Sequence, residues 1–195
     1  MRYPAEHKEQ VRQQIVRAAA RRFRGRGSER VPIAQLMRDL SLTHGGFYRH
    51  FTGKEQLFDE ALAESFAQVR ARLLEAAERA APGRELEAII ETYLSEQHCA
   101  NVAEGCPVAA LATETARHRK RARTTFDEGI REHVAAFLPF MPGDTTADRE
   151  RIALVLFGGM AGVLNLARAT SDQKLRRTVL ESGRAFYVRA LCPAS

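Results

Sequence analysis

Residues 43–57 read THGGFYRHFTGKEQL. Two adjacent glycines stand where a helix starts, and Phe47, Tyr48 and Phe51 follow within five positions. Glycine weakens a helix interior, so Gly45 and Gly46 need another purpose there. A loop, in turn, has no need of three closely spaced aromatics. The residues upstream supply a context. Pro32 fits a first helical position, and Ile33, Leu36, Met37 and Leu40 form a short apolar stripe. Ser41-Leu42 then makes a tight turn, and Thr43 is placed to N-cap a third short helix ending near His50.

Before these lies a longer pattern. Val11, Ile15, Ala18, Ala19 and Phe23 recur three to five apart, which predicts an amphipathic helix over roughly 6–24. Arg12, Arg17, Arg21, Arg24 and Arg26 cover much of its remainder, and Gly25 and Gly27 stop it. Three helices with a tight turn between the second and third fit a helix-turn-helix unit. Such a unit lays the N-terminal residues of its recognition helix in the major groove. Residues there must be small or able to hydrogen-bond, and Thr43, His44, Gly45 and Gly46 have that character. Phe47 and Phe51 can anchor the helix to a small core. Tyr48 and His50 can donate to phosphates, and Lys54 sits in the first turn of the next helix, where a phosphate is also favoured.

The charge distribution agrees. The net charge is +6, yet residues 1–54 carry twelve Lys and Arg against four Asp and Glu, so the remainder is slightly acidic. A basic excess confined to one end implies an anionic partner for that end, nucleic acid or membrane surface.

Helical periodicity continues downstream. Thr52-Gly-Lys-Glu55 reads as a capping box, with Glu55 reaching back to Thr52. A long helix then carries Leu57, Phe58, Ala61, Leu62, Phe66, Val69, Leu73 and Ala77 on one face, to about Ala80. Pro82-Gly83 ends it. A single helix is expected over 84–100, another from Pro107 to about Arg117, a third over about 119–138, and two more over about 147–170 and 172–191. No strand or repeat is recognisable. The expected fold is all-α, with about nine helices: a helix-turn-helix unit over 8–68 joined through a long helix to a helical unit over 69–195.

The 195 residues are 45% hydrophobic and 28% charged, an ordinary globular balance. Cys99, Cys106 and Cys192 are sparse and odd in number, and no N-terminal stretch resembles a signal peptide. Free thiols and a reducing cytoplasm are expected. The least polar stretch, 153–164, is twelve residues long and reads as a buried helix rather than a membrane span. Within it Gly158 and Gly162 lie four apart beside Gly159. Small residues at that spacing admit a close helix neighbour, either in a second chain, forming a four-helix bundle, or within the same chain.

Residues 8–68 resemble the DNA-binding domain of the TetR family of bacterial transcriptional regulators. The resemblance rests on IVRAAARRF (15–23), IAQLMRDLSLTHGGFYRHF (33–51) and TGKEQLFDEAL (52–62). It implies a homodimer on a pseudo-palindromic double-stranded DNA operator, repressing until a small molecule binds the C-terminal unit. Two positions depart from the family pattern. Ser41 stands where glycine is usual, which strains the chain if the position needs positive φ. Gly46 stands where Thr, Ser or Ala is common, leaving His44 as the main base reader.

The segment EGCPVAAL (104–111) is similar to the corresponding segment of family members that sense electrophiles or oxidants. A helix N-terminus would favour the Cys106 thiolate, so one alternative is a redox-sensing repressor, and the other a structural, buried Cys106. A further alternative is an activator of the same fold. An effector pocket is expected among Tyr93, His98, Phe126, His133, Phe157, Met160 and Asn165. His98, Cys99 and Cys106 fit no zinc spacing and are one ligand short, so neither metal nor cofactor is expected. RHRKRAR (117–123) reads as a helix junction that could approach the DNA-binding unit. His118 and His133 are expected on helices without a Ser or Asp partner, which points away from an enzyme.

Overall fold

The computed structural model describes residues 5–192; the last three residues of the expected second unit lie outside it. Among the described residues every element is helical: α1 (Ala5–Arg26), α2 (Ile33–Asp39), α3 (His44–Phe47), α4 (Lys54–Glu78), α5 (Glu85–Tyr93), α6 (Glu96–Ala100), α7 (Pro107–Thr115), α8 (Lys120–Phe137), α9 (Thr146–Ala169) and α10 (Gln173–Leu191). Two 3-10 turns, Val102–Glu104 and Leu138–Phe140, join them. The all-α reading holds.

Two groups of buried side chains organise the chain. The first joins Ile15, Ala19 and Phe23 of α1, Leu36 and Met37 of α2, Phe47 and Phe51, and the first half of α4 from Leu57 to Phe66. The second joins Val69, Leu73 and Ala77 of α4 to Ile89, Ile90 and Tyr93 of α5, Phe137 of α8, and Leu156, Met160 and Leu164 of α9. The single helix α4 is therefore shared, its apolar stripe passing from one core to the other between Phe66 and Val69.

Local chemistry moves several boundaries. The helix expected over 84–100 is two helices. α5 ends at Tyr93, and Ser95 starts α6 by accepting from His98 N. Apolar periodicity runs through Leu94 and so conceals a break that only capping reveals. The Thr52–Glu55 box is replaced by a pairing one place later. Thr52 N and Oγ1 both donate to Gln56 Oε1, at 2.8 and 2.9 Å, and Gly53 is the N-cap. Glu55 faces His118 instead, 3.4 Å away.

His118 itself lies between α7 and α8, not on a helix. It stacks on Phe58 of α4 with ring centroids 4.2 Å apart and lies 3.4 Å from Glu114. Ser28 donates to Glu114 from its amide at 2.9 Å and from its hydroxyl. The junction 117–123 thus packs against α4, and Arg121 pairs with Asp59 at 3.1 Å.

α9 is long and apolar enough to cross a membrane by length and composition. Its Ala153, Leu156, Met160, Leu164 and Ala167 are nevertheless buried in the second core. The glycines on α9 divide between the two expected uses. A side chain at Gly159 would collide with the hydroxyl of Tyr187 on α10, so that glycine serves a contact within the chain. Gly158 and Gly162 face open space and are exposed.

Candidate nucleic-acid interface

The turn between α2 and α3 is built from backbone bonds. Leu42 N donates to Met37 O and Ser41 N to Arg38 O, both at 2.9 Å. This is the Schellman arrangement, which places the residue after the C-cap in the left-handed region. Ser41 occupies that place with φ 59°, the sole positive-φ residue other than glycine among those described. The side chain carries a strain that glycine would avoid.

Thr43 then caps α3, its Oγ1 accepting from Gly46 N at 3.2 Å. Phe47 points inward and is 1% exposed. Phe51, one turn later, is equally buried and stacks on it at 5.3 Å between centroids. Burying two rings fixes a four-residue helix that could not persist alone. The opposite side is left to solvent: Thr43, His44, Gly45 and Tyr48 are exposed, Tyr48 by 63%. His44 and Tyr48 meet edge to face at 5.7 Å. A side chain added at Gly45 would meet nothing within 4 Å, so the fold itself does not require glycine there. At Gly46 the nearest atom would be the capping Thr43 Oγ1, at 3.2 Å.

Arg12 of α1 locks the far end of this segment. Its guanidinium lies 4.4 Å from the Phe51 ring centroid, donates to His50 O and pairs with Glu60 of α4. One side chain therefore ties α1, the end of the recognition segment and α4 together. Sequence inspection places Arg12 on a basic face and gives no sign of this role, because its partners are 38 and 48 positions away. His50 is half-buried, its Nδ1 is enclosed without a partner, and burial, with Lys8 and Arg12, holds its pKa below the usual value. Lys54 begins α4, with Nζ 3.5 Å from Glu29 O. A groove of about 690 Å³ runs beside α3, lined by His7, Lys8, Arg49 and His50 together with Met37, Leu42 and Gly46. Arg49 is exposed there and joins the basic rim, a residue the sequence pattern does not single out.

The residues expected to form an effector pocket do not gather at one place. Cys106 and Phe157 line a mostly apolar cavity of about 80 Å³ with Phe66, Val69, Val108, Ile130 and His133. Burial pushes the His133 imidazole down to about 3, and its enclosed Nδ1 has no hydrogen-bond partner. Tyr93 and Met160 belong to the surrounding core, and Phe126 packs edge-on against Phe66 at 5.4 Å. Asn165 is exposed on α9 and does not line this cavity: it falls on the outer face of a helix whose inner face is marked by Leu164 and Ala167.

His98 is committed to structure. Its Nδ1 donates to Tyr93 O at 2.6 Å and its Nε2 accepts from Cys106 N at 3.1 Å. Burial lowers its pKa to about 4, so the ring is neutral. Cys106 is the N-cap of α7 and is 3% exposed.

The comparisons accord with this geometry. The family model described as bacterial regulatory proteins, tetR family, matches residues 15–61. The HTH-type transcriptional regulator LmrA of Bacillus subtilis is 28% identical over 128 residues, covering 65% of this chain and 68% of LmrA. Two solved structures show the same fold over nearly the whole chain. A TetR-family transcriptional regulator from Cytophaga hutchinsonii superposes with TM-score 0.79 at 19% identity, covering 97% of this chain and 98% of that one. The reduced form of NemR from E. coli gives 0.76 at 19% identity, covering 95% and 100%. The segment that matches the tetR family of bacterial regulatory proteins thus runs from α1 into α4, and the fold is shared with the solved structures to the last helix.

Proposed function

We propose that this protein is a cytoplasmic DNA-binding transcriptional repressor. It acts as a homodimer on a pseudo-palindromic operator and is released by a small-molecule effector. One observation carries the reading: a four-residue helix is pinned from behind by buried Phe47 and Phe51 while Thr43, His44, Gly45 and Tyr48 face outward beside a basic rim. That arrangement suits base edges at His44 and phosphates at Tyr48, Lys54 and Arg49. Half-buried and held neutral, His50 offers a phosphate a single N–H rather than a charge. The change of core along α4 supports a division into a DNA-binding unit, 8–68, and an effector and dimerisation unit, 69–195.

The dimer reading draws on an unpartnered apolar strip. Leu154, Val155 and Leu166 on α9 and Leu175 and Phe186 on α10 are exposed, and Gly158 and Gly162 leave room between them. Large apolar side chains gathered on two long helices need a cover, and a second copy would complete a four-helix bundle. The effector reading draws on the cavity at Cys106, because Phe66 and Val69 of α4 form part of its wall. A ligand that displaced them would move the helix whose first residue is Lys54. Burial of Cys106 weighs against a redox-sensing role, so release by a bound ligand is the reading adopted.

The test is duplex binding with a double-stranded DNA that the protein itself selects from a random-sequence pool. A specific, salt-sensitive complex of two chains per duplex supports the proposal; a promoter fusion that is silenced by the protein distinguishes repression from activation.

A further inference from the structure

A second pocket lies away from both the cavity and the DNA-facing helix. It holds about 390 Å³ and is walled by the end of α9, the start of α10 and α6, with Arg168, Arg176, Arg177 and Val102 in its lining. The guanidinium groups are pre-positioned. Arg168 donates from Nε to Cys99 O at 3.2 Å and from Nη2 to His98 O at 2.9 Å. Arg176 donates from Nε to Ala167 O at 3.3 Å and from Nη2 to Thr170 O at 2.7 Å. Both are thus held by backbone carbonyls with Nη1 outside those bonds. Arg177 pairs with Glu96 at 3.2 Å, the one carboxylate lining the pocket. Two guanidinium groups fixed by carbonyls and a third, exposed one against one engaged carboxylate leave a cationic surplus and forked donors that match carboxylate or phosphate oxygens.

We propose that this pocket binds a small anion of two or more charges, a polycarboxylate or a phosphorylated compound, and that its occupation weakens DNA binding. The coupling path is short. The carbonyls that hold Arg168 belong to the segment 98–104, whose other side is gripped by α1 of the DNA-binding unit and by the shared helix α4. Arg24 of α1 donates from Nε to Ala103 O at 2.6 Å, Arg21 pairs with Glu104 at 2.8 Å, and Arg72 of α4 donates to Glu104 O at 2.9 Å. An anion bound at Nη1 draws the Arg168 guanidinium towards the pocket, weakens its bonds to the His98 and Cys99 carbonyls and so loosens the segment on which α1 rests. The coupling rests on the reading of the protein as a DNA binder; the binding site does not.

Calorimetry with citrate and with glycerol 3-phosphate, at matched ionic strength and with glycerol as the neutral control, tests the site directly. One saturable site per chain is expected for at least one anion, and which of the two binds tells a carboxylated ligand from a phosphorylated one. Arg176→Gln and Arg177→Gln each weaken it about tenfold, the scale of one lost charge-assisted contact. Arg117→Gln, at the α7–α8 corner, leaves it unchanged. No saturable binding of either anion, or equal binding by wild type and Arg176→Gln, overturns the site. In a second arm the bound anion weakens the selected duplex about fivefold or more in wild type and not in Arg176→Gln. Anion binding that leaves duplex affinity unchanged overturns the coupling. A protein that binds no duplex at all refutes the repressor reading, while calorimetry still decides the site.

Discussion

Arg24, in the last turn of α1, donates its Nε–H to the carbonyl oxygen of Ala103, 2.6 Å away in space and 79 positions away in sequence. The same side chain reaches Gln68 Oε1 of α4 at 2.7 Å and Glu104 at 3.7 Å. Burial pushes its pKa down to about 10, which still leaves it charged at neutral pH. A buried cation is held by a carbonyl, an amide and a carboxylate drawn from both halves of the molecule. Removing it takes the donor from the partly buried Ala103 carbonyl and Gln68 Oε1, while Glu104 keeps Arg21. Arg24→Ala is expected to cost about 2–4 kcal/mol of stability. Arg24→Lys, which keeps the charge but not the fork, is expected to recover only part of that in a denaturant titration.

Ser41 offers the opposite sign of change. A left-handed conformation costs a residue bearing a Cβ about 1–2 kcal/mol, and the greater freedom of unfolded glycine returns about 0.4–1 of it. Ser41→Gly is therefore expected to raise Tm by about 2 °C, and Ser41→Val to lower it by more. A Tm for Ser41→Gly below that of wild type would refute the strain at this turn.

The two buried histidines set a pH dependence. His133 titrates near 6.5 when unfolded and at about 3 in the fold, and His98 at about 4. Between those values the unfolded chain binds more protons, so stability is whole above pH 6.5 and falls as the pH drops towards 4. At pH 5 each histidine costs roughly 2 kcal/mol relative to neutral pH. His133 sits among the rings of Phe137 and Phe157, at 4.7 and 4.4 Å. A His133→Phe variant is expected to gain about that amount on wild type between pH 7 and pH 5, measured by urea unfolding. A gap that does not change with pH would contradict it.

On the outer strip, Val155 is 71% exposed and Phe186 57%. Val155→Glu with Phe186→Glu places charges where the second copy is proposed to pack, and neither disturbs the core of one chain. Sedimentation is expected to show two chains per particle for wild type and one for the double variant. An unchanged mass would place the interface elsewhere.

What the sequence could and could not announce follows from the range of the interactions. The turn at Ser41, the cap at Thr43 and the inward Phe47 and Phe51 are fixed by neighbours within about one helical turn, so pattern and capping chemistry reach them. The break at Leu94–Ser95 escapes because apolar periodicity continues across it. The capping partner of Thr52 differs by one position because Glu55 is drawn to His118, 63 positions on. The residues expected to form an effector pocket are harder to place: Phe157 and Met160 are both large apolar residues of α9, and only tertiary packing decides that Phe157 lines a cavity while Met160 fills a core. The grip of Arg24 on Ala103 has no local signature at all.

The most direct test of DNA binding through α3 uses Gly45. Its missing side chain has open space within the protein, so Gly45→Leu is expected to leave the fold and Tm intact or slightly improved. Against a duplex surface the same side chain occupies the clearance that base edges require. Fluorescence anisotropy on the selected duplex, across a series of salt concentrations, is the measurement. The account predicts salt-sensitive binding by wild type and a loss of about tenfold or more for Gly45→Leu at equal Tm. Equal affinity of the two proteins would contradict it.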